Sequence, residues 1–264
     1  MKKIIMIAMS IFLVGLLAAC GTSEESSTAN ESSEKGSDKK VLTMGTSADY
    51  PPFEYVDSAK GEEIIGFDVD LAKAIAEKLG YEVQVKDMDF NGLIPALETS
   101  QVDFVLSGMT PTEERKQNVD FSDVYYTASH MIVSKKDSGI ESLEDLNGKT
   151  VGVQLASIQA DKAEEIAETV DLTVENRNRI PELIQEIMAG RFDAAIIEDI
   201  VAKGYFEKNE DLAGFTIEED EDEAGSAIAF PKGSDLAEEF NAELVKMKEN
   251  GELEELIVKW FDNK

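Results

Sequence analysis

From Asp68 onward the apolar residues Leu71, Ala72, Ile75 and Leu79 recur on one helical face, and Gly80 closes the run. This spacing predicts an amphipathic helix with Asp68 as its cap. Tyr81 to Val85 alternates apolar and polar residues, as a half-buried strand does. Leu93, Ile94 and Leu97 form one face of a short helix, and Val102 to Leu106 is a short apolar strand. Val41 to Thr46 reads as a strand ahead of them. Thr150 to Val153 starts a second series, and Ala194 to Ile197 reads as a buried strand. The C-terminal part returns to helices, first through Leu236, Phe240, Leu244 and Met247, then through Leu253, Leu256, Ile257, Trp260 and Phe261. Alternating strands and helices predict an α/β fold with mostly parallel sheets flanked by helices.

Two segments look alike. GLIPALETSQVDFVLSG and ELIQEIMAGRFDAAIIE share Leu-Ile, a helix of similar length, an Asp and an apolar strand. Leu93 to Asp103 has the spacing of Leu183 to Asp193. Any helix–turn–strand unit has this shape, so common ancestry stays open. The architectural consequence does not depend on it. One strand ends at Ser107 and Gly108 and the other at Ile197 and Glu198, which predicts two strand ends facing each other across a cleft. Open α/β sheets take ligands at such ends.

The N-terminal segment bears on location. Lys2 and Lys3 precede an apolar run from Ile4 to Leu17, which ends Leu17-Ala18-Ala19-Cys20. A run this short with small residues before the cut reads as a signal peptide over residues 1–19. Cys20, the only cysteine, sits where a bacterial lipoprotein carries its lipid; the plainer reading is an ordinary signal peptide with an incidental cysteine. With no second cysteine, no intrachain disulfide supports the fold. Residues 20–40 are rich in Ser, Glu, Thr, Asn and Lys and read as a disordered tether.

Of the 264 residues, about 225 remain after the tether, enough for one large or two medium domains. The formal net charge of −30 argues against nucleic acid as a partner. The acidic run Glu218 to Glu223 reads as a solvated face.

Thr110-Pro111-Thr112-Glu113 fits a capping box with Pro at the first helical position, just before Arg115. A helix N-terminus beside an arginine is suited to a carboxylate. On spacing alone, a capped helix with a surface arginine explains the same residues. Catalytic signals are poor. The single histidine, His130, has no histidine partner, and no GxSxG, P-loop or HExxH pattern occurs. We expect no metal, no cofactor and no enzyme activity.

The run from Gly66 to Tyr126, with GFDVDLAKAIAEKLG and SGMTPTEERK, closely resembles the solute-binding lipoproteins of polar amino-acid ABC transporters. The resemblance extends from about Val41 to the C-terminus. It implies a two-domain, periplasmic-binding-protein-like (type II) α/β fold with a hinge and an interdomain ligand cleft. One domain would be 41–126 plus 224–264, with GSAIAFPKG as the return strand, and the other 127–223. The resemblance implies a polar L-amino acid as ligand and an ABC permease and ATPase as partners. It further implies attachment of a monomer to the outer face of the bacterial membrane through lipidated Cys20. A sensory lipoprotein and a dehydratase-like enzyme on the same fold are the alternatives.

The resemblance also assigns residues. Arg115 would hold the ligand's α-carboxylate with the turn before it, and Glu198 would take the α-ammonium, or Asp199 if the alignment slips by one. Ser107, Gly108 and Thr110 would contribute from the strand end. Tyr50 and Phe90 would stack on the ligand, and Phe53 reads as core. Gln154, Ser157 and Ile158 belong to the second domain's loop, where relatives often carry hydroxyls that Ile158 lacks. Ser47 stands where glutamine- and basic-residue-binding relatives often carry Asp. Ser47 and Gln154 offer neutral hydrogen bonds, so the residues lean toward a neutral polar ligand such as glutamine, with Asp49 or Asp199 as the acids that would serve a cationic one.

Overall fold

The computed structural model describes residues 39–57, 61–218 and 225–262. The segments read from the sequence as signal peptide and tether, Cys20 among them, lie outside these residues except for Lys39 and Lys40, as does most of the acidic run 218–223. In chain order the elements are β1 (Lys40–Thr46), β2 (Asp49–Tyr50), β3 (Glu54–Asp57), β4 (Glu63–Ile65), α1 (Phe67–Lys78), β5 (Tyr81–Asp87), α2 (Leu93–Glu98), β6 (Phe104–Val105), β7 (Val119–Phe121) and β8 (Tyr126–Thr127). There follow β9 (His130–Lys135), β10 (Lys149–Gln154), α3 (Ile158–Ala167), β11 (Leu172–Arg177), α4 (Ile180–Met188), β12 (Ala194–Glu198), α5 (Asp199–Phe206) and β13 (Leu212–Thr216). The chain then runs through β14 (Gly225–Ser226), β15 (Ala229–Pro231), α6 (Asp235–Asn250) and α7 (Glu252–Ile257).

Two five-stranded sheets organise the molecule, in the orders β5-β1-β6-β15-β7 and β11-β10-β12-β9-β13. Each sheet supports one lobe of a two-domain α/β, periplasmic-binding-protein-like fold. In both sheets the first two pairings are parallel and the last two antiparallel. The expectation of mostly parallel sheets therefore holds for the βα half of each lobe only. The reason is connectivity: β15 and β9 enter their sheets from the other lobe and run against their neighbours. The crossings between sheets pass through β8 and β14, which pair antiparallel as a two-stranded ribbon.

The sequence-alike segments occupy equivalent places, α2 with β6 and α4 with β12. Their shared aspartates do the same work. Asp103 accepts the Thr43 N–H at 2.7 Å through its carboxylate and donates its own N–H to Thr43 O at 2.8 Å. Asp193 repeats both bonds with Thr150, at 2.9 Å each. Each aspartate thus fastens the entrance of the central strand to the strand beside it.

The first lobe's core is fully buried and aromatic. Phe104, Phe230 and Phe240 stack between the sheet and α6, with centroids 5.0–6.3 Å apart. Tyr126 stacks on Phe261 at 4.3 Å and Phe53 meets both, which confirms Phe53 as a core residue. Two local expectations fail. Asp68 is not a cap: it lies inside the first turn of α1, and its carboxylate accepts instead from Gly108 N–H and Tyr125 OH. Thr110 to Glu113 forms no capping box. Only a single 3₁₀ turn, Arg115–Gln117, follows it, and Thr112 rather than Thr110 accepts the Arg115 N–H.

Replacing Asp103 or Asp193 by Ala leaves a strand N–H without its partner. Each change should destabilise the protein by about 0.5–1.5 kcal/mol in urea unfolding, the typical net worth of a hydrogen bond at a half-buried site. Because the two sites belong to different sheets, the losses should add.

Candidate functional site

The C-terminal ends of the central strands meet at a cleft enclosing about 330 Å³, part of it continuous with solvent. The first lobe contributes Ser47, Asp49, Tyr50, Glu54, Phe90, Ser107, Gly108, Thr110 and Arg115. The second contributes Gln154, Ser157, Ile158 and Gln159. Ten of the twelve residues singled out from the sequence therefore line one cavity. Glu198 lies behind this lining, buried and hydrogen-bonded to Tyr50. Asp199 starts α5 and is turned away, its carboxylate accepting from Lys203 at 2.6 Å and from Ser129 N–H.

Arg115 crosses the cleft. Its Nη1 donates to Thr110 O and its Nη2 to Ala156 O in the other lobe, each at 2.9 Å. The guanidinium lies 5.4 Å from the centre of the Phe90 ring. Burial lowers its pKa to about 10. The cation thus rests on two carbonyls and a ring face, and an anion placed there gains a charge-assisted fork.

The helix N-terminus expected at Thr110 is found instead at α3. Ser157 caps it: Oγ accepts from Ala160 N–H at 3.2 Å and donates to Gln154 O at 2.7 Å. The first N–H groups of such a helix have no acceptor within it. They sit at the positions of Ile158 and Gln159, so the missing hydroxyl at Ile158 leaves a backbone cradle in place.

The opposite character dominates the floor. Ser107 Oγ accepts from Ser47 N–H at 3.0 Å and donates to Glu54 at 2.8 Å. Its one proton is committed, so toward a ligand it can only accept. Gly108 holds φ at +54°, and a Cβ there would stand 3.3 Å from the Tyr50 ring, so glycine permits this close approach. Glu198 Oε2 and Thr110 Oγ1 are buried oxygens with no hydrogen-bond partner, while the buried Glu54 and Asp68 carboxyls hydrogen-bond to each other. Burial, then Asp199 and Asp68, push the Glu198 carboxyl up to about 8. Burial pushes Asp68 and Asp49 each up to about 6, and burial with the charge of Asp68 holds Glu54 well above the usual carboxylate range. Asp49 accepts from Ser47 OH at 3.0 Å and, across the cleft, from Ile180 N–H at 2.8 Å.

Glu54 and Gln159 escaped the sequence reading, which marks Asp68 as a helix cap only. A signal for Glu54 existed: a charged residue beside Phe53 in an otherwise apolar turn breaks the solvent-facing pattern of charges.

The profile of bacterial extracellular solute-binding proteins, family 3, matches residues 42–263. This chain belongs to that family. It is 60% identical over 262 residues to the arginine-binding extracellular protein ArtP of Bacillus subtilis, covering 99% of this chain and 98% of that one. It is 36% identical over 277 residues to the ABC transporter glutamine-binding protein GlnH of the same organism, covering 99% and 98%. An ancestral arginine-binding protein solved with arginine superposes with a TM-score of 0.78 at 42% identity, covering 84% of this chain and 98% of that one. An ancestral arginine-binding protein solved with glutamine superposes with a TM-score of 0.77 at 42% identity, covering 84% of this chain and 97% of that one. As a family 3 member the protein binds a polar amino acid for an ABC transporter on the outer side of the membrane. It has no catalytic role, since its family is one of solute-binding proteins.

The raised carboxyls of this family 3 cleft fix the sign of a pH effect. They bind protons more tightly folded than unfolded. The stability from their protonated forms is complete below about pH 4, the unfolded carboxyl range, and is lost as pH rises through 6 and then 8. The ligand-free protein should therefore melt at a lower temperature at pH 8.5 than at pH 6, by differential scanning calorimetry. Glu198→Gln should flatten the upper part of that fall; an unchanged slope would remove Glu198 from the cause.

Proposed function

We propose that the amino acid captured in this cleft carries a cationic side chain, of the arginine type. The observation that supports it is the gathering of acids at the floor. Asp49 and Glu54 line the cavity, and Asp68 and Glu198 are buried against the lining residues Glu54 and Tyr50. Ionising buried carboxyls is costly, and a cationic side chain beside Asp49 and Glu54 favours their ionised forms. The 60% identical relative named for arginine binding points the same way. The lean toward a neutral ligand drawn from Ser47 gives way, because Asp49 two residues on lines the same wall.

Within this reading Arg115 and the N-terminus of α3 hold the α-carboxylate. Glu198, Ser107 and Thr110 receive the α-ammonium, with Tyr50 positioning Glu198. Phe90 and Tyr50 wall the side chain, Asp49 faces its charged end, and Ser47, Gly108, Gln154, Ser157 and Ile158 complete the enclosure. Asp199, committed to Lys203, stays outside the site. The domain division at 41–126 with 224–264, and 127–223, is supported by which strands join which sheet. Signal cleavage, lipidation of Cys20 and delivery to a cognate permease and ATPase complete the proposal. Glutamine is the second reading, because related ancestral arginine-binding proteins are solved with arginine and with glutamine.

A thermal-shift panel of the twenty amino acids at matched concentration tests the ligand. Stabilisation follows RT ln(1 + [L]/Kd), so L-arginine should give the largest shift. A panel led by glutamine, with the cationic amino acids silent, would overturn the charge argument.

Arg115→Ala should leave the fold intact and weaken binding by about 2–5 kcal/mol, as loss of a buried charged partner does. That is roughly one and a half to nearly four decades in affinity. Titration calorimetry returning the unaltered affinity would remove Arg115 from the carboxylate site.

A further inference from the structure

One edge of the cleft is closed by charges of which only Asp49 lines the cavity. Residues 178–180 enter α4 in the second lobe, and each donates to a carboxylate of the first. Asn178 Nδ2 reaches Asp89 Oδ2 at 3.1 Å. Arg179 sends Nε to Asp89 Oδ1 at 2.8 Å, Nη1 to Asp87 Oδ1 at 2.8 Å and Nη2 to Asp87 Oδ2 at 3.3 Å. Ile180 N–H reaches Asp49 Oδ2 at 2.8 Å. The acids are held in place from their own side. Asp87 Oδ1 also accepts Ala48 N–H at 2.8 Å, and Asp49 Oδ1 accepts the Ser47 hydroxyl. Arg179 is held too, its N–H donating to Glu182.

These bonds exist only while the lobes are together. A contact absent from the open form contributes wholly to the closed one, so it shifts the balance between them. A planar fork spread over two carboxylates is among the stronger polar contacts, even at a half-exposed edge. Capture begins in the open form, where none of these bonds is made. Release requires the lobes to part, and the fork must break first. The asymmetry predicts an effect on departure and not on arrival.

We propose that Arg179 is a positioning residue that latches the closed cleft and sets the rate of ligand release without touching the ligand. The proposal rests on the cleft being the binding site, but not on which amino acid fills it.

Association and dissociation of radiolabelled L-arginine, followed by rapid filtration on the purified protein, test it. If L-arginine does not bind the unaltered protein, the ligand reading has failed; the amino acid leading the thermal-shift panel then serves as probe and the latch is tested all the same. Arg179→Gln should speed dissociation about 10-fold while association stays within about 2-fold. Asp87→Asn, which keeps an oxygen for Ala48, should act in the same direction and stands in if Arg179→Gln fails to fold. The double variant should be no worse than the stronger single one, because the two groups form one interaction. The reversed pair, Arg179→Asp with Asp87→Arg, should recover part of the slow release. An unchanged dissociation rate, a loss confined to association, or fully additive losses would overturn the latch.

Discussion

A carboxylate removed from water needs donors, and this molecule gathers four of its acids, Asp49, Glu54, Asp68 and Glu198, around the ends of its central strands. The fold itself places them. Asp68 sits in the first turn of α1, where it receives Gly108 and Tyr125 and so fixes the strand end that follows β6. Glu54 takes the proton of Ser107 and so fixes the direction of that hydroxyl. Each acid thus serves the architecture, and Asp49 and Glu54 also line the cleft. Against this stands Arg115, buried on carbonyl oxygens and a ring. The cleft is therefore polarised: one donor-rich corner formed by Arg115 and α3, one acceptor-rich floor. A zwitterion fits such a field in a single orientation.

The twofold plan of the molecule produces that polarity. Both lobes carry the same pairing pattern, and the aspartates of the two repeats, Asp103 and Asp193, make the same bonds. Identical units set face to face bring two strand ends together. What differs is the loop each unit carries at that end. The first lobe offers Ser107 to Arg115 and the second offers Gln154 to Gln159. The repeated plan supplies the frame, and the different loops supply the two chemical characters.

Much of this was legible in the chain. Regular periodicity located α1, β5, β10 and β12, because a helix or strand packed on one face must repeat its apolar residues. Ten of the twelve candidate residues line the cavity because the motifs around them lie next to strand ends. The failures share a cause. Asp68 and Thr110 carry strong local signals for helix capping, yet both are drawn into long-range contacts that local spacing does not encode. Thr110-Pro111-Thr112-Glu113 has the composition of a helix start, but the chain must bend there to bring Arg115 across the cleft, and only one 3₁₀ turn survives. Glu54 belongs to a strand too short to show a pattern. Arg179 looks like any charged residue before a helix until the opposite lobe, some ninety residues away in sequence, brings Asp87 and Asp89 to it.

The edge at Arg179 and the floor of the cleft divide the energetic work. The floor's acids are buried, so ionising them without a cation beside them is costly. The edge is half-exposed, so its contacts are weaker and satisfied without any ligand. A cleft closed by the edge alone holds the floor's carboxyls towards their neutral forms. In the proposed reading, a cation in the closed cleft favours their ionised forms while the edge contacts persist. Asp49 joins the two regions, since it lines the cavity and also accepts the first N–H of α4. A charge arriving beside Asp49 stabilises its ionised form, and the ionised form is the better acceptor for Ile180. In the proposed reading, ligand charge and lobe closure are thereby linked through one carboxylate, while the backbone of the amino acid is held elsewhere.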